Sequence, residues 1–203
     1  MVTAHTVHAF WFGDVSNGDW LDCAMRNTDR WFANGQALDA SVRERFDETL
    51  HAAGRGELDH WLDTARGAIA LILALDQFPR HIHRGSSRAF DFDAKALQMC
   101  LSGVERGLDQ QLSAVERGFF YLPMEHAEDL EIQQQGVALM HANTESGPSQ
   151  LREYLQNAAV FGELHRDIVA RFGRFPHRNQ VLGRASTAQE TAWLNKGGQR
   201  FGQ

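Results

Sequence analysis

The sequence predicts an all-α protein of about nine helices, joined by short connections into antiparallel pairs. Two observations carry this expectation. Apolar residues recur at three- and four-residue spacing along most of the chain, and the alternation of a half-buried strand is nearly absent. The prolines are only four (Pro79, Pro123, Pro148 and Pro176), and each stands where an apolar-periodic run stops, so each is read as a helix boundary.

Residues 5–12 form a short aromatic first element. Helices are expected near 20–32 and 38–53, the latter stopped by Gly54 and Gly56. A helix over 57–65 would place Leu58, Trp61 and Leu62 on one face. Residues 67–78 are apolar nearly all round, which predicts the central buried helix. A helix over 87–107 aligns Phe90, Ala94, Leu97 and Leu101. Residues 114–121 form a short helix stopped by Pro123, and a new one runs over 125–141. Pro148 opens another over 149–172. Thr187-Ala188-Gln189-Glu190 reads as a capping box for a last helix over 189–195. From Gly197 onward a frayed tail is expected. No clean 34-residue repeat is present.

The length, 203 residues, fits one domain with a sizeable core, taken as residues 1–203. A net charge of −6 argues against nucleic acid as a partner, because phosphate contacts need a basic face. The longest apolar run, residues 68–75, is too short to cross a bilayer, and residues 1–13 lack the pattern of a signal peptide. Cys23 and Cys100 lie far apart with no CxxC pair, as expected of inert thiols in a reducing, cytoplasmic setting. No zinc set, P-loop, GxGxxG, GxSxG or EF-hand loop occurs, so no metal or cofactor is expected. The oligomeric state is left open.

A cadence that occurs twice marks where function should be sought. Asp76-Gln77-Phe78-Pro79-Arg80-His81 closes in Arg84-Gly85-Ser86-Ser87, and Gly173-Arg174-Phe175-Pro176-His177-Arg178-Asn179 closes in Gly183-Arg184-Ala185-Ser186-Thr187. Arginine and histidine crowded at a chain break are costly unless they hold a buried carboxylate or a bound anion. Asp76 shares a face with Ile69, Ile72 and Leu73, with Arg80 one turn on and Arg84 and Arg88 beyond. It reads either as half of a buried Asp–Arg pair or as a general base or cation ligand. Glu125, His126, Glu128 and Asp129 crowd the expected first turn after Pro123, where the helix dipole favours acids but not a cation. Without HExxH spacing they read as caps and hydrogen-bond partners, or as an acid–base pair. Arg117 and Tyr121, four apart, are either a packed pair or a pocket wall whose fork and phenol meet an oxyanion. His177, Arg178, Asn179 and Arg184 form the richest donor cluster, serving either an anion or the carbonyls of a helix end. Trp11, Trp20, Trp31 and Trp61 read as core.

Three of these words stand together: Leu75-Asp76-Gln77-Phe78-Pro79-Arg80, Tyr121-Leu122-Pro123-Met124-Glu125-His126-Ala127-Glu128, and Gly173 to Asn179 with Leu182-Gly183-Arg184 and Ser186-Thr187. With Phe10-Trp11-Phe12-Gly13 and Gly56-Glu57-Leu58-Asp59-His60-Trp61, they resemble the bacterial DUF924 family from Val7 to about Leu194. The resemblance implies a helical array similar to the tetratricopeptide-like superfamily and implies no activity. This chain departs from the family at His81, where Asn is usual, and at Ala127, where Ser is usual.

Two functions from different classes fit these residues. In the first, the three words converge on a polar pocket for a small anionic molecule carrying a carboxylate or phosphate. Arg80, Arg88, Arg117, Tyr121, His177, Arg178, Asn179 and Arg184 would bind it. If the protein is an enzyme, hydrolysis or another proton transfer fits best, with Glu125, His126 and Asp76 as the catalytic groups. In the second, the array holds a peptide in a groove and performs no catalysis, an analogy at the level of fold. A closed polar pocket favours the first and an open concave face the second. All three words could also be internal struts.

Overall fold

The computed structural model describes residues 2–15, 18–33 and 35–201. Among them are no strands, and the helices follow in the order α1 (Ala4–Phe12), α2 (Trp20–Thr28), α3 (Asp39–Gly54), α4 (Ala65–Ile72), α5 (Phe78–Ile82), α6 (Asp93–Glu105), α7 (Ala114–Glu125), α8 (Leu130–Ser146), α9 (Arg152–Phe172) and α10 (Ala188–Asn195). A π-helical turn, Leu73–Gln77, joins α4 to α5 in one continuous rod, so these segments make nine helices.

That rod is the centre of the fold. Every side chain from Ala68 to Leu75 is fully buried, as an all-round apolar helix requires. Thr64 starts it by accepting a hydrogen bond from the Gly67 amide. The helices α7, α8 and α9 form two successive hairpins. Gln133 donates to the carbonyl of Glu125 while Asn143 donates to that of Ala114, so α8 runs back along α7. Beside α1, Trp11, Phe12, Trp31 and Phe119 meet mostly edge to face. A satellite cluster of Ile168, Val169 and Phe175, covered by Phe172, Trp193 and Phe201, holds the end of α9 against α10.

Several expected boundaries move. Residues 57–65 are a short 3-10 turn, Asp59–Asp63, because Gly56 turns left-handed (φ 84°) and Thr64 is extended. The long element at 87–107 splits into a 3-10 turn, Ser87–Phe90, and α6. The helix from residue 20 ends in a second π-helical turn, Asp29–Ala33, and α9 is preceded by a 3-10 turn, Ser149–Leu151.

Two of the four prolines do not mark boundaries. At Pro79 the rod continues because the π-helical turn shifts the ladder: the Phe78 amide bonds the Leu73 carbonyl, five residues back. Pro79 then stands in the first turn of the resumed helix, where a missing N–H costs nothing. Pro123 lies inside α7, between the buried Phe119, Phe120 and Tyr121 and the buried Met124 and Glu125, whose packing holds the helix on to Glu125. Glu125 and His126 therefore end α7 instead of opening α8, whose N-cap is Asp129, accepting from the amides of Glu131 and Ile132. His126 stands at the negative end of a helix dipole, which favours a cation, the reverse of the sequence expectation.

Candidate functional site

The π-helical turn, the end of α7 and the 3-10 turn Pro176–Arg178 after α9 meet around Asp76. A π-helical turn widens the backbone and is often found at functional sites; here it carries Asp76 and Gln77. Asp76 is 1% exposed. Its Oδ1 accepts from His126 Nδ1 at 2.7 Å, and its Oδ2 from Gln77 Nε2 at 2.7 Å. Arg80 Nη1 lies 3.5 Å from Oδ1 and donates to the Asp76 carbonyl. Burial alone would raise the Asp76 carboxyl, but Arg80 and His126 outweigh it and hold the group well below the usual carboxylate range. A carboxylate only accepts, so His126 carries its proton on Nδ1 and keeps a lone pair on Nε2. Burial, with Arg80 nearby, lowers the His126 pKa, so the ring is neutral at neutral pH.

Glu125 sits beside this pair, fixed by the end of α7 and facing α9. Its carboxyl lies against Gly162, where a Cβ would come within 3.5 Å of Oε1, and its Oε2 is 3.5 Å from His165 Nδ1. Burial and the charge on Asp76 push the Glu125 carboxyl up to about 8. Two neighbouring acids are thus driven apart, one kept ionised and one kept protonated at neutral pH, the pattern by which acid and base roles are divided. His165 donates Nδ1–H to the Phe161 carbonyl, and burial, then His126, pushes it down to about 3.

Arg178 closes the other side. Its guanidinium is sandwiched between Phe175 (4.4 Å to the ring centroid) and Phe90 (4.8 Å). Its Nη1 donates to the His126 carbonyl at 3.0 Å and lies 3.6 Å from Asp93, whose carboxylate is held by both terminal nitrogens of Arg80. Burial, with Arg80 close by, brings Arg178 down to about 10, so it remains a cation. Its Nε is buried without a protein partner, as is His177 Nδ1. Burial and Arg178 push His177 down to about 3.

The other expected site residues lie elsewhere. Arg88 is on the surface of the Ser87–Phe90 turn. Tyr121 donates its hydroxyl to the buried Asp109 at 2.6 Å, and Arg117 points at Gln110, so both side chains spend these donors within the chain and neither bonds Asp76 or His126. Asn179 and Arg184 are struts. Asn179 Nδ2 reaches Ser186 and Glu190, and Arg184 grips Glu128 with both terminal nitrogens while its Nε bonds Asn179. Their donors are spent on the chain itself, which removes them from a ligand. His81 pairs with Asp39 alongside Arg84, tying α5 to the start of α3. Among the described residues no group of three or more His, Cys, Asp or Glu side chains is placed to hold a metal ion, and no helix is long and apolar enough to cross a membrane.

The sequence reading missed His165, Asp93 and Phe90. His165 was detectable as a histidine within the otherwise apolar stripe Leu155, Ala159, Gly162, Ile168 of α9. Asp93 resembles an ordinary helix-start acid, and nothing local distinguishes it.

Over residues 7–198 the chain matches the family described as "Bacterial protein of unknown function (DUF924)". It belongs to the DUF924 family. The match spans all three words and the elements that bring them together. A solved structure of a protein of unknown function from Agrobacterium tumefaciens is similar to this DUF924 chain, with 40% identity, a TM-score of 0.76, and coverage of 96% of this chain and 97% of that one. Comparison with curated proteins gives no match.

Proposed function

We propose that this DUF924 protein is an enzyme that performs proton transfer, as in hydrolysis, on a small anionic substrate at the Asp76–His126 pair. The observation that carries the reading is the 2.7 Å contact between Asp76 Oδ1 and His126 Nδ1, buried beside a second acid that stays protonated. Asp76 orients the imidazole and stabilises its charged form, and His126 Nε2 is the base. In a hydrolysis, Nε2 takes a proton from water as the water oxygen attacks an acyl or phosphoryl centre. Glu125 hands its proton to the leaving group. Arg178 binds the substrate's anionic group through its Nε edge, where it has no protein partner. The burial of Asp76, Glu125 and Arg178 supports this reading over an open peptide groove.

The test is thermal unfolding with inorganic phosphate or a dicarboxylate at millimolar concentration. Each should raise the wild-type Tm, and neither should raise that of Arg178→Lys, whose single ammonium cannot replace the planar fork. A wild-type Tm that ignores both anions would leave Arg178 as a strut and remove the substrate class.

A further inference from the structure

Phe201 lies in the site. Its ring is stacked on His165 with centroids 3.7 Å apart and planes 16° from parallel. His177 stands 5.7 Å away, and Phe175 meets Phe201 edge-on at 6.5 Å. Phe175 also meets His165 edge-on and carries Arg178 on its face. Three rings therefore form a box around a fourth, beside the guanidinium whose Nε has no protein partner.

The backbone that delivers this ring is strained. Among the described residues Phe201 is the one non-glycine with left-handed φ, 49°. Its Cβ then crowds a carbonyl, a cost that persists only where surrounding contacts enforce it. The segment leading to it turns at the left-handed Gly197 (φ 86°) and spans a cavity of about 300 Å³ between α9 and α10, lined in part by Leu164, Ile168, Arg171 and Trp193. The strap is tied to α10 at Gly197 and Gly198, lines that cavity through Gln199, and ends in the ring box. Phe201 itself is only partly buried. A strained, partly exposed ring is easily displaced, and the place it leaves is walled by three rings, one of which carries Arg178 on its face.

We propose that the box of His165, Phe175 and His177 is a subsite for a planar aromatic group of the ligand, which Phe201 fills until the ligand displaces it. The ligand class is a small aromatic molecule with an anionic substituent: ring against His165, anion against Arg178. This rests on the anion seat proposed above and adds to it the identity of the rest of the ligand and a gate.

The test compares three probes, benzoate, cyclohexanecarboxylate and inorganic phosphate, by titration calorimetry on the full chain with and without Phe201→Ala. Benzoate should bind the variant roughly tenfold more tightly than wild type, because a competing occupant lowers apparent affinity by the fraction of open box. Cyclohexanecarboxylate has the same charge but no flat face, and should bind the variant roughly tenfold more weakly than benzoate does. Phosphate needs only Arg178 and should be indifferent to Phe201. Should Phe201→Ala fail to fold, Phe201→Leu keeps apolar cover without a flat ring, and the same gain for benzoate is required of it. Equal benzoate affinity in wild type and variant overturns the gate, and equal affinity for benzoate and cyclohexanecarboxylate overturns the ring box. In either case, retained phosphate binding leaves the anion seat standing. If none of the three probes binds either protein, the seat falls as well.

Discussion

At residues 76–81 the Phe-Pro pair lies inside a helix that runs on to Ile82, whereas at 175–178 the same pair opens a 3-10 turn after the left-handed Gly173. The first word places its polar groups inward along a rod. Asp76 and Arg80 answer one another and His126, and His81 and Arg84 close on Asp39. The second word divides its polar groups between two tasks. Arg174 grips Glu190, and Asn179 and Arg184 brace the chain against Ser186 and Glu128. Arg178 turns the other way, onto His126 and between two phenyl rings. Similar letters thus yield a carboxylate-centred pair in one place and a loop that presents a cation in the other. The difference lies in the backbone, not in the residue types, so a repeated motif here is not a repeated structure.

The comparison breaks most sharply at Asp76. Asp76→Ala leaves Arg80 and His126 facing an apolar gap, and losing one partner of a buried ionic cluster costs roughly 3–5 kcal/mol. Urea unfolding at pH 7 should show that loss. A variant curve that overlays the wild type would mean that the rod does not depend on its carboxylate, and that the first word is no more a structural centre than the second.

Glu125 gives an effect of opposite sign. Its pKa is raised in the folded protein to about 8 by burial and by Asp76. A raised acid contributes stability that is fully present below its unfolded pKa and is lost as pH rises through the folded one. The Glu125 contribution to wild-type stability should therefore fall between about pH 4.5 and pH 8, by about 1.4 kcal/mol for each pH unit. Glu125→Gln should flatten that fall and be the more stable protein at pH 8, while losing any activity that needs the proton. Parallel pH–stability curves for the two proteins would show that Glu125 titrates like an exposed acid, and would take away its role as proton donor.

Much of this arrangement was legible in the sequence, for definite reasons. The rod through residues 68–75 was readable because only a fully buried helix is apolar all round. The cap at Thr187 was readable because its partner Glu190 lies three residues away. What escaped depends on contacts between residues distant in sequence, or on ladder shifts with no local signature. Pro79 and Pro123 read as stops because local sequence shows the lost donor but not the π-helical turn or the packing that tolerates it. That error carried Glu125 and His126 onto the wrong helix end. Arg117 and Tyr121 read equally as a packed pair or as a pocket wall because their spacing fits both, and Asp109, which claims the phenol, arrives from another turn.

The smallest change probes whether the two tasks of the second word are separable. Thr187 accepts from the Glu190 amide, and Glu190 returns the bond to the Thr187 amide at 2.7 Å while also receiving Arg174. Those partners, Arg174 first, hold the Glu190 carboxyl down at about 2. A lowered acid contributes stability above its unfolded pKa and loses it as pH falls through the folded one, so this brace is intact at every pH where Arg178 would be assayed. Thr187→Ala removes the cap and should cost about 1 kcal/mol. Because Arg178 is positioned by Phe90, Phe175 and the His126 carbonyl rather than by α10, the rise in Tm with phosphate should be the same in Thr187→Ala as in wild type. If the cap mutation also abolishes the phosphate shift, the brace and the cation act as one unit, and the division of the second word into two tasks is wrong.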